Sequence, residues 1–357
     1  MIERNPFASI RSTTSVFTRR TGVQTASRTG ATPLVLPLSS RLCSGIVFFV
    51  TDTMYFQGSA EARDSSDDNF LALRNDCISA GRQLLSRHQR KDGAPVRSSF
   101  AVLASKTPRE SERVPTAAAL LRGGRGGEVK LKVELSALWI AVAEPYDVRL
   151  PGWAWAKLIG LPDPRGRGAR RVHAALRQLA KSHLIESPGG RGSVGQLTLR
   201  DETGSGDAYV PPGERVDELR KSGRDYSDHV YFKVPNELWT NGWLAALNGR
   251  SLAMLLVLLQ QTAGEGRANR EVWFSPRVAE TRLRLSEDTR KAGIDDLREL
   301  GLVSVRRRPV TPDFLSSTRS RNTYTLHLDH LRRNIPPRPP RSTPDVKGKA
   351  SLTINTQ

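Results

Sequence analysis

The chain is poor in cysteine: Cys43 and Cys77 are the only two in 357 residues. Two are too few for a disulfide framework, and a reducing compartment, the cytoplasm, fits. Both fall in a stretch that reads as lying outside the folded part. No apolar run approaches the ~20 residues a membrane span needs. The longest, Leu252-Ala-Met-Leu-Leu-Val-Leu-Leu259, reads as a buried core helix. A P-loop Gly-Lys-Ser/Thr is absent, and no Ser/His/Asp or Cys/His set can be singled out, so the chain does not read as an enzyme. His327-x-x-His330 lacks a third and fourth ligand and any cysteine pair, so neither a metal nor another cofactor is expected. Acids are scarce too: 36 Asp and Glu stand against 55 Lys and Arg, a formal charge of +19. An excess of that size favours a polyanionic partner through counterion release. A high-arginine proteome with basic tails would give the same number, so charge alone does not decide.

Composition divides the chain. Residues 1–50 hold one acid, Glu3, among several Arg, Ser and Thr. That composition resembles an organellar transit peptide, but it also fits a start placed too far upstream, with Met54 as the first residue translated; the second reading is preferred. Order is expected to be low over 1–115, apart from a short helix that residues 68–87 can form. Residues 116–127, with Arg122-Gly-Gly-Arg-Gly-Gly127, read as a Gly/Arg-rich hinge. A first domain is expected over 128–201, a polar linker over 202–229, a second domain over 230–331, and a disordered basic Pro-rich tail over 332–357.

One pattern occurs in both domains. A short helix, a turn and a second helix ending in Leu-Ile or Leu-Val are followed by a basic β-hairpin. In the first domain the helices are expected at 134–143, 153–160 and 168–183, with strands at 184–187 and 196–199. Gly190-Arg-Gly-Ser-Val-Gly195 matches a dinucleotide fingerprint by letter, but it lies between two strands, so its glycines serve a turn. In the second domain residues 236–247 read as helical, 251–261 as a core helix, and 272–274 as a strand. Ser275 reads as an N-cap with Pro276 at the first helical position, and Ser286 caps the third helix, with Glu287 and Asp288 in its first turn. A returning strand runs over 322–328. This is how a winged helix-turn-helix reads, and the fold class expected is mainly α with small β-wings, two such domains in tandem.

Third helices of this kind enter the major groove. A wheel at about 100° per residue puts Val172, Leu176 and Leu179 on the core face of the first. Its opposite face carries Arg170, Arg171, Ala174, Arg177, Gln178 and Lys181, with no acid among them, and Arg165 and Arg167 extend the basic surface into the turn. Ile294, Leu297 and Gly301 mark the core face of the second. The face expected outward there carries Asp288, Thr289, Ala292, Asp295, Asp296 and Glu299, with Lys291 at its margin. Acids facing phosphates are repulsive. The hairpin beyond is basic instead. The candidate DNA-contacting residues are therefore Arg165, Arg167, Arg170, Arg171, Arg177, Lys181 and Arg191 in the first copy. In the second they are Thr289, Lys291, Arg306, Arg307, Arg308, Arg319 and Arg321. All six tryptophans fall in expected elements; core packing accounts for most, and base stacking is open to one or two.

The pattern resembles the winged helix-turn-helix superfamily, and two in tandem resemble plasmid replication initiators. Tyr231-Phe-Lys-Val-Pro-Asn-Glu-Leu238, a very apolar helix, and Trp273-Phe-Ser-Pro276 also resemble a type of actinobacterial winged-helix protein found near mobile elements. The resemblance covers residues 128–331 and is stronger in the second half. It implies binding to origin or operator DNA and often a homodimer. The acidic third helix of the second copy departs from an initiator's main DNA-reading helix. The function expected is sequence-specific binding of double-stranded DNA, as a transcriptional regulator or a plasmid-type initiator. The alternative is a protein-interaction adaptor that uses winged helices without specific DNA binding.

Overall fold

A computed structural model describes residues 61–104, 113–122, 126–187, 196–264, 270–310 and 320–339. A long helix, α1 (Glu61–His88), precedes β1 (Ala94–Arg97), α2 (Ser98–Ala101) and α3 (Thr116–Leu121). Then come α4 (Gly127–Ile140), β2 (Asp147–Arg149), α5 (Gly152–Leu158), a π-helical turn at Pro164–Gly168, α6 (Ala169–Lys181), β3 (Ile185–Glu186) and β4 (Gln196–Leu199). Next are α7 (Pro212–Lys221), β5 (Tyr231–Val234), α8 (Glu237–Thr240) and α9 (Trp243–Ala246). The last group is α10 (Gly249–Thr262), β6 (Glu271–Val272), α11 (Pro276–Val278) running into a π-helical turn at Ala279–Leu283, α12 (Glu287–Glu299), β7 (Val303–Pro309), β8 (Ser320–Leu326) and α13 (Leu328–Arg333).

The fold is mainly helical with small antiparallel sheets. One order of elements occurs twice: helix, strand, helix, helix, strand, strand. α4 to β4 is the first copy and α10 to β8 the second. In each, the last strand lies in the middle of a three-stranded sheet: β2-β4-β3 and β6-β8-β7. The local causes are those the sequence suggests. Ser275 accepts from the Val278 N–H with Pro276 in the first turn, and Ser286 accepts from the Thr289 N–H. Residues 236–247 form two short helices rather than one, because Gly242 takes a positive φ of 80° between them.

α10 is apolar all round because it is enclosed: residues from Leu252 to Leu258 are at most 1% exposed. α12 crosses it at Gly293, where a Cβ would come within 2.6 Å of the Arg250 carbonyl oxygen, so no larger residue fits there. α4 also packs on α10, and it is longer toward its N-terminus than expected. Trp139 of α4 stacks on Trp239 of α8, ring centroids 4.6 Å apart. Both indole N–H groups are satisfied: Trp139 donates to Asn236 Oδ1 at 2.8 Å and Trp239 to Ser136 Oγ at 2.9 Å.

The short helix expected over 68–87 lies within α1, but the low order expected beyond it does not hold over 88–104. α1 packs against α5, α8 and α9, and β1 pairs antiparallel with β5, Ala94 opposite Val234 and Arg97 opposite Tyr231. Cys77 is fully buried, not outside the fold; its thiol donates to the Leu158 carbonyl at 2.8 Å, and burial pushes its pKa up to about 12. Arg90 caps the C-terminal end of α4 by donating to the carbonyls of Leu138, Trp139 and Ala141. The stretch expected to be a linker is not free either. It holds α7, and Glu202 is fully buried in an ion pair with Arg97 of β1. Residues 332–336, expected in a disordered tail, dock on the fold: the Arg332 carbonyl accepts from Asn241 and the Pro336 carbonyl from Arg74. The described residues fall in one compact unit with a single hydrophobic core, so the two copies share a core.

Candidate nucleic-acid interface

α6 buries Val172, Ala175, Leu176 and Leu179 and exposes Arg170, Arg171, Ala174, Arg177, Gln178 and Lys181. The expected polar face is therefore one continuous surface without an acid. The turn before it is shaped by Asp163, whose side chain accepts from the Gly166 N–H at 3.1 Å and the Arg167 N–H at 2.8 Å. Those bonds, Arg167's first, hold the Asp163 carboxyl below the usual carboxylate range. Asp163 also meets the Arg167 side chain at 3.7 Å, so Arg167 is a partly balanced cation. Arg165 lies over the Trp153 ring, 5.6 Å from its centroid. Four arginines thus gather at the start of α6, where the helix dipole is already positive and the first turn holds no acid. That concentration of like charge is relieved by an anion.

α12 is the reverse. Glu287 and Asp288 occupy its first turn and complement the dipole. Thr289 is taken up by the cap, its Oγ1 2.7 Å from Ser286 Oγ, while Lys291 is exposed. One expected outward acid faces inward: Asp296 accepts from Arg250 Nε at 2.7 Å, Arg250 Nη2 at 3.1 Å and Asn248 Nδ2 at 2.8 Å. The wheel missed this because the cation comes from the neighbouring helix α10. Asp288 and Glu299 are exposed, and Asp295 is half-buried with Arg298 at 3.8 Å.

The three hairpin arginines do not act together. Residues opposite one another share a face of the sheet, so Arg306 lies with Thr323 and Arg308 with Arg321, while Arg307 lies with Asn322 on the face that carries Val305 and Tyr324. The Arg306/Arg308 face holds an acid that the sequence reading left out. Glu271 of β6 takes Arg308 in a bidentate pair, 2.8 and 3.2 Å, and lies 4.0 Å from Arg306. Arg308 holds the Glu271 carboxyl below its ordinary range. Strand alternation identifies Glu271 once β8 is known to run between β6 and β7. On the same face the Arg321 guanidinium carbon lies over the Trp273 ring, 4.3 Å from its centroid. Arg191 and Arg319 lie outside the described residues, as does the glycine-rich turn at 190–195.

A second charged cluster is buried. Arg97 contacts Glu202 and, at 3.4 Å, Asp201; its Nη2 donates to the Val210 carbonyl at 2.8 Å and its Nε to His229 at 3.2 Å. Burial pushes the Glu202 carboxyl up to about 7 against the pull of Arg97. Glu134 of α4 is also fully buried, and neither carboxyl oxygen has a hydrogen-bond partner. Burial, then Glu202, pushes it well above the carboxylate range.

Among the described residues no group of His, Cys, Asp or Glu could hold a metal ion, and no helix is long and apolar enough to cross a membrane. His330 of the His-x-x-His pair instead packs its ring edge-on to Trp243. No known protein family, no curated protein and no solved structure matches the chain.

Proposed function

We propose that the chain binds double-stranded DNA sequence-specifically through two tandem winged helices, in the cytoplasm, as a transcriptional regulator or a plasmid-type replication initiator. What carries the reading is the α6 surface: Arg170, Arg171, Arg177 and Lys181 exposed on one helix face without an acid. The repeated element order and the central last strand support the winged-helix assignment. The first copy reads the major groove with α6, where Arg can bridge guanine edges and Lys and Arg can meet phosphates. The second copy makes backbone contacts through its hairpin.

The test is duplex binding across a salt series. Affinity falls steeply with salt, and each phosphate contact removed lowers the log–log slope by roughly one. A variant with Arg170, Arg171, Arg177 and Lys181 all changed to Ala binds weakly with a flatter slope. Wild-type affinity and slope in that variant, with the fold intact, would leave the adaptor reading in its place. Genome-wide mapping of bound DNA separates the two roles: iterated repeats near the gene mark an initiator, a palindrome in its own promoter a regulator.

A further inference from the structure

Of the six tryptophans, Trp139, Trp155, Trp239 and Trp243 are fully buried, whereas Trp153 is 42% and Trp273 46% exposed. Each copy therefore leaves one large apolar ring at the surface, and each ring has an arginine over its face: Arg165 on Trp153 and Arg321 on Trp273. Among the described residues neither arginine has a nearby acid to itself. Asp163 is occupied by two backbone N–H groups and by Arg167. Glu271, the acid on Arg321's face, is held bidentately by Arg308. Arg321 is further sheltered, with its Nε buried and without a hydrogen-bond partner.

A guanidinium lying on an aromatic face keeps its N–H edge free while losing rotamer freedom before any ligand arrives. We infer that Trp153 and Trp273 are positioning residues, each holding its arginine flat so that the outer N–H edge meets a backbone phosphate of duplex DNA. This rests on the proposed DNA-binding reading and deepens it. The two pairs sit in different places. Arg165 is in the turn leading into α6, and Arg321 is on the hairpin strand β8. The anchoring contact of the first copy is thus at its helix–turn–helix, and that of the second is on its hairpin.

The test is a double-mutant cycle on the full chain, with duplex affinity and salt slope read for Trp273→Leu, Trp273→Phe, Arg321→Ala and the Leu/Ala double variant, and likewise for Trp153 and Arg165. Thermal unfolding verifies that each variant folds. Leu removes the π face and weakens binding about 2- to 5-fold, whereas Phe, which keeps a π face, stays close to wild type. Arg321→Ala lowers the salt slope by roughly one, and adding Trp273→Leu to it changes affinity no further. Tryptophan emission, read with the same duplex, shifts on binding in the wild type, and the shift shrinks as each exposed ring is removed. Wild-type affinity in the folded Leu variants overturns the inference while DNA binding stands. So does a Trp→Leu loss of equal size with and without the arginine. A wild-type chain that binds no duplex at any salt overturns the proposed function and this inference together.

Discussion

Helices α6 and α12 hold the same place in the repeated topology and carry opposite charge. α6 begins among Arg165, Arg167, Arg170 and Arg171 with no acid in its first turn; α12 begins with Ser286, Glu287 and Asp288. Three acids of α12 serve the fold: Glu287 and Asp288 complement its dipole, and Asp296 pairs with Arg250 of α10. Each such terminal charge contributes about 0.3–1 kcal/mol. α6 forgoes that stabilisation and adds like charge at the positive end, an arrangement that favours a bound anion over the isolated helix. The first helices differ in the same sense. α4 buries Lys132, Glu134 and Ser136, where α10 is apolar from Leu252 to Leu259. Glu134, buried without a hydrogen-bond partner, is a cost to stability that α10 does not carry.

The largest effect that can break this comparison is on sequence preference. Changing Arg170 and Arg171 to Ala should erase preference at the bases they meet, each good base contact being worth about 1–3 kcal/mol of discrimination. Changing Asp288, Asp295 and Glu299 to Ala should leave preference intact and, by removing repulsion, strengthen nonspecific binding. Asp296 is left out of the second set because its three hydrogen bonds are to α10. Parallel binding selections on the two variants decide it. If the acidic-face variant loses preference and the arginine variant keeps it, α12 is the reader.

Both halves of that contrast were legible in the sequence, since the apolar period places α6 to within a few residues, and the period with the Ser286 cap places α12. The helix over 68–87, which is part of α1, was legible too; its place in the core was not. Its buried face is centred on Cys77 and Gly81, and at Gly81 a Cβ would lie 2.5 Å from the Trp239 carbonyl oxygen. Close approach demands small residues, and small residues give a weak apolar stripe. The stretch after β4 misled for another reason: its charge reads as solvated, but Glu202 is matched by Arg97, 105 residues away. Glu271 and Asp296 were missed likewise, because their partners lie on other elements. Charge content is visible along a chain; charge pairing across elements is not.

The buried polar groups in and around the first copy give the next test, through pH. Glu134 and Glu202 have folded values raised above an unfolded value near 4.5. Their contribution is fully present below that value and is lost as pH rises through the raised folded values, about 7 for Glu202 and well above the ordinary carboxylate range for Glu134. His88 works in the opposite direction. Burial, then Arg90, lowers it from 6.5 to about 4, so its contribution is present above 6.5 and lost as pH falls. Glu134→Gln keeps the shape and removes one titration. Denaturant unfolding from about pH 5 to 8 should show the variant's stability falling less with pH, by up to about 1.4 kcal/mol per unit. Parallel wild-type and variant curves would mean that Glu134 does not hold its proton in the fold.

The smallest expected effect concerns the second copy's hairpin, and it follows from Glu271. This carboxylate sits on the face of Arg306, Arg308 and Arg321, and its bidentate pair with Arg308 offsets one of the cations. The pair is solvent-accessible, with side-chain accessibilities of 49% and 32%, so its loss should change stability little. Its effect on a phosphate backbone is larger in relative terms. Glu271→Gln removes a repulsive charge and frees Arg308, so duplex affinity should rise about 2- to 5-fold at low salt, with a steeper salt slope. Arg307, on the opposite face, serves as the control. Arg307→Ala should cost the same in the wild-type and Glu271→Gln backgrounds, whereas Arg308→Ala should cost more once Glu271 is gone. Equal losses for Arg308→Ala in both backgrounds would place the DNA on the Arg307 side of the hairpin, and the second copy would then meet the duplex with the sheet face that carries Val305 and Tyr324.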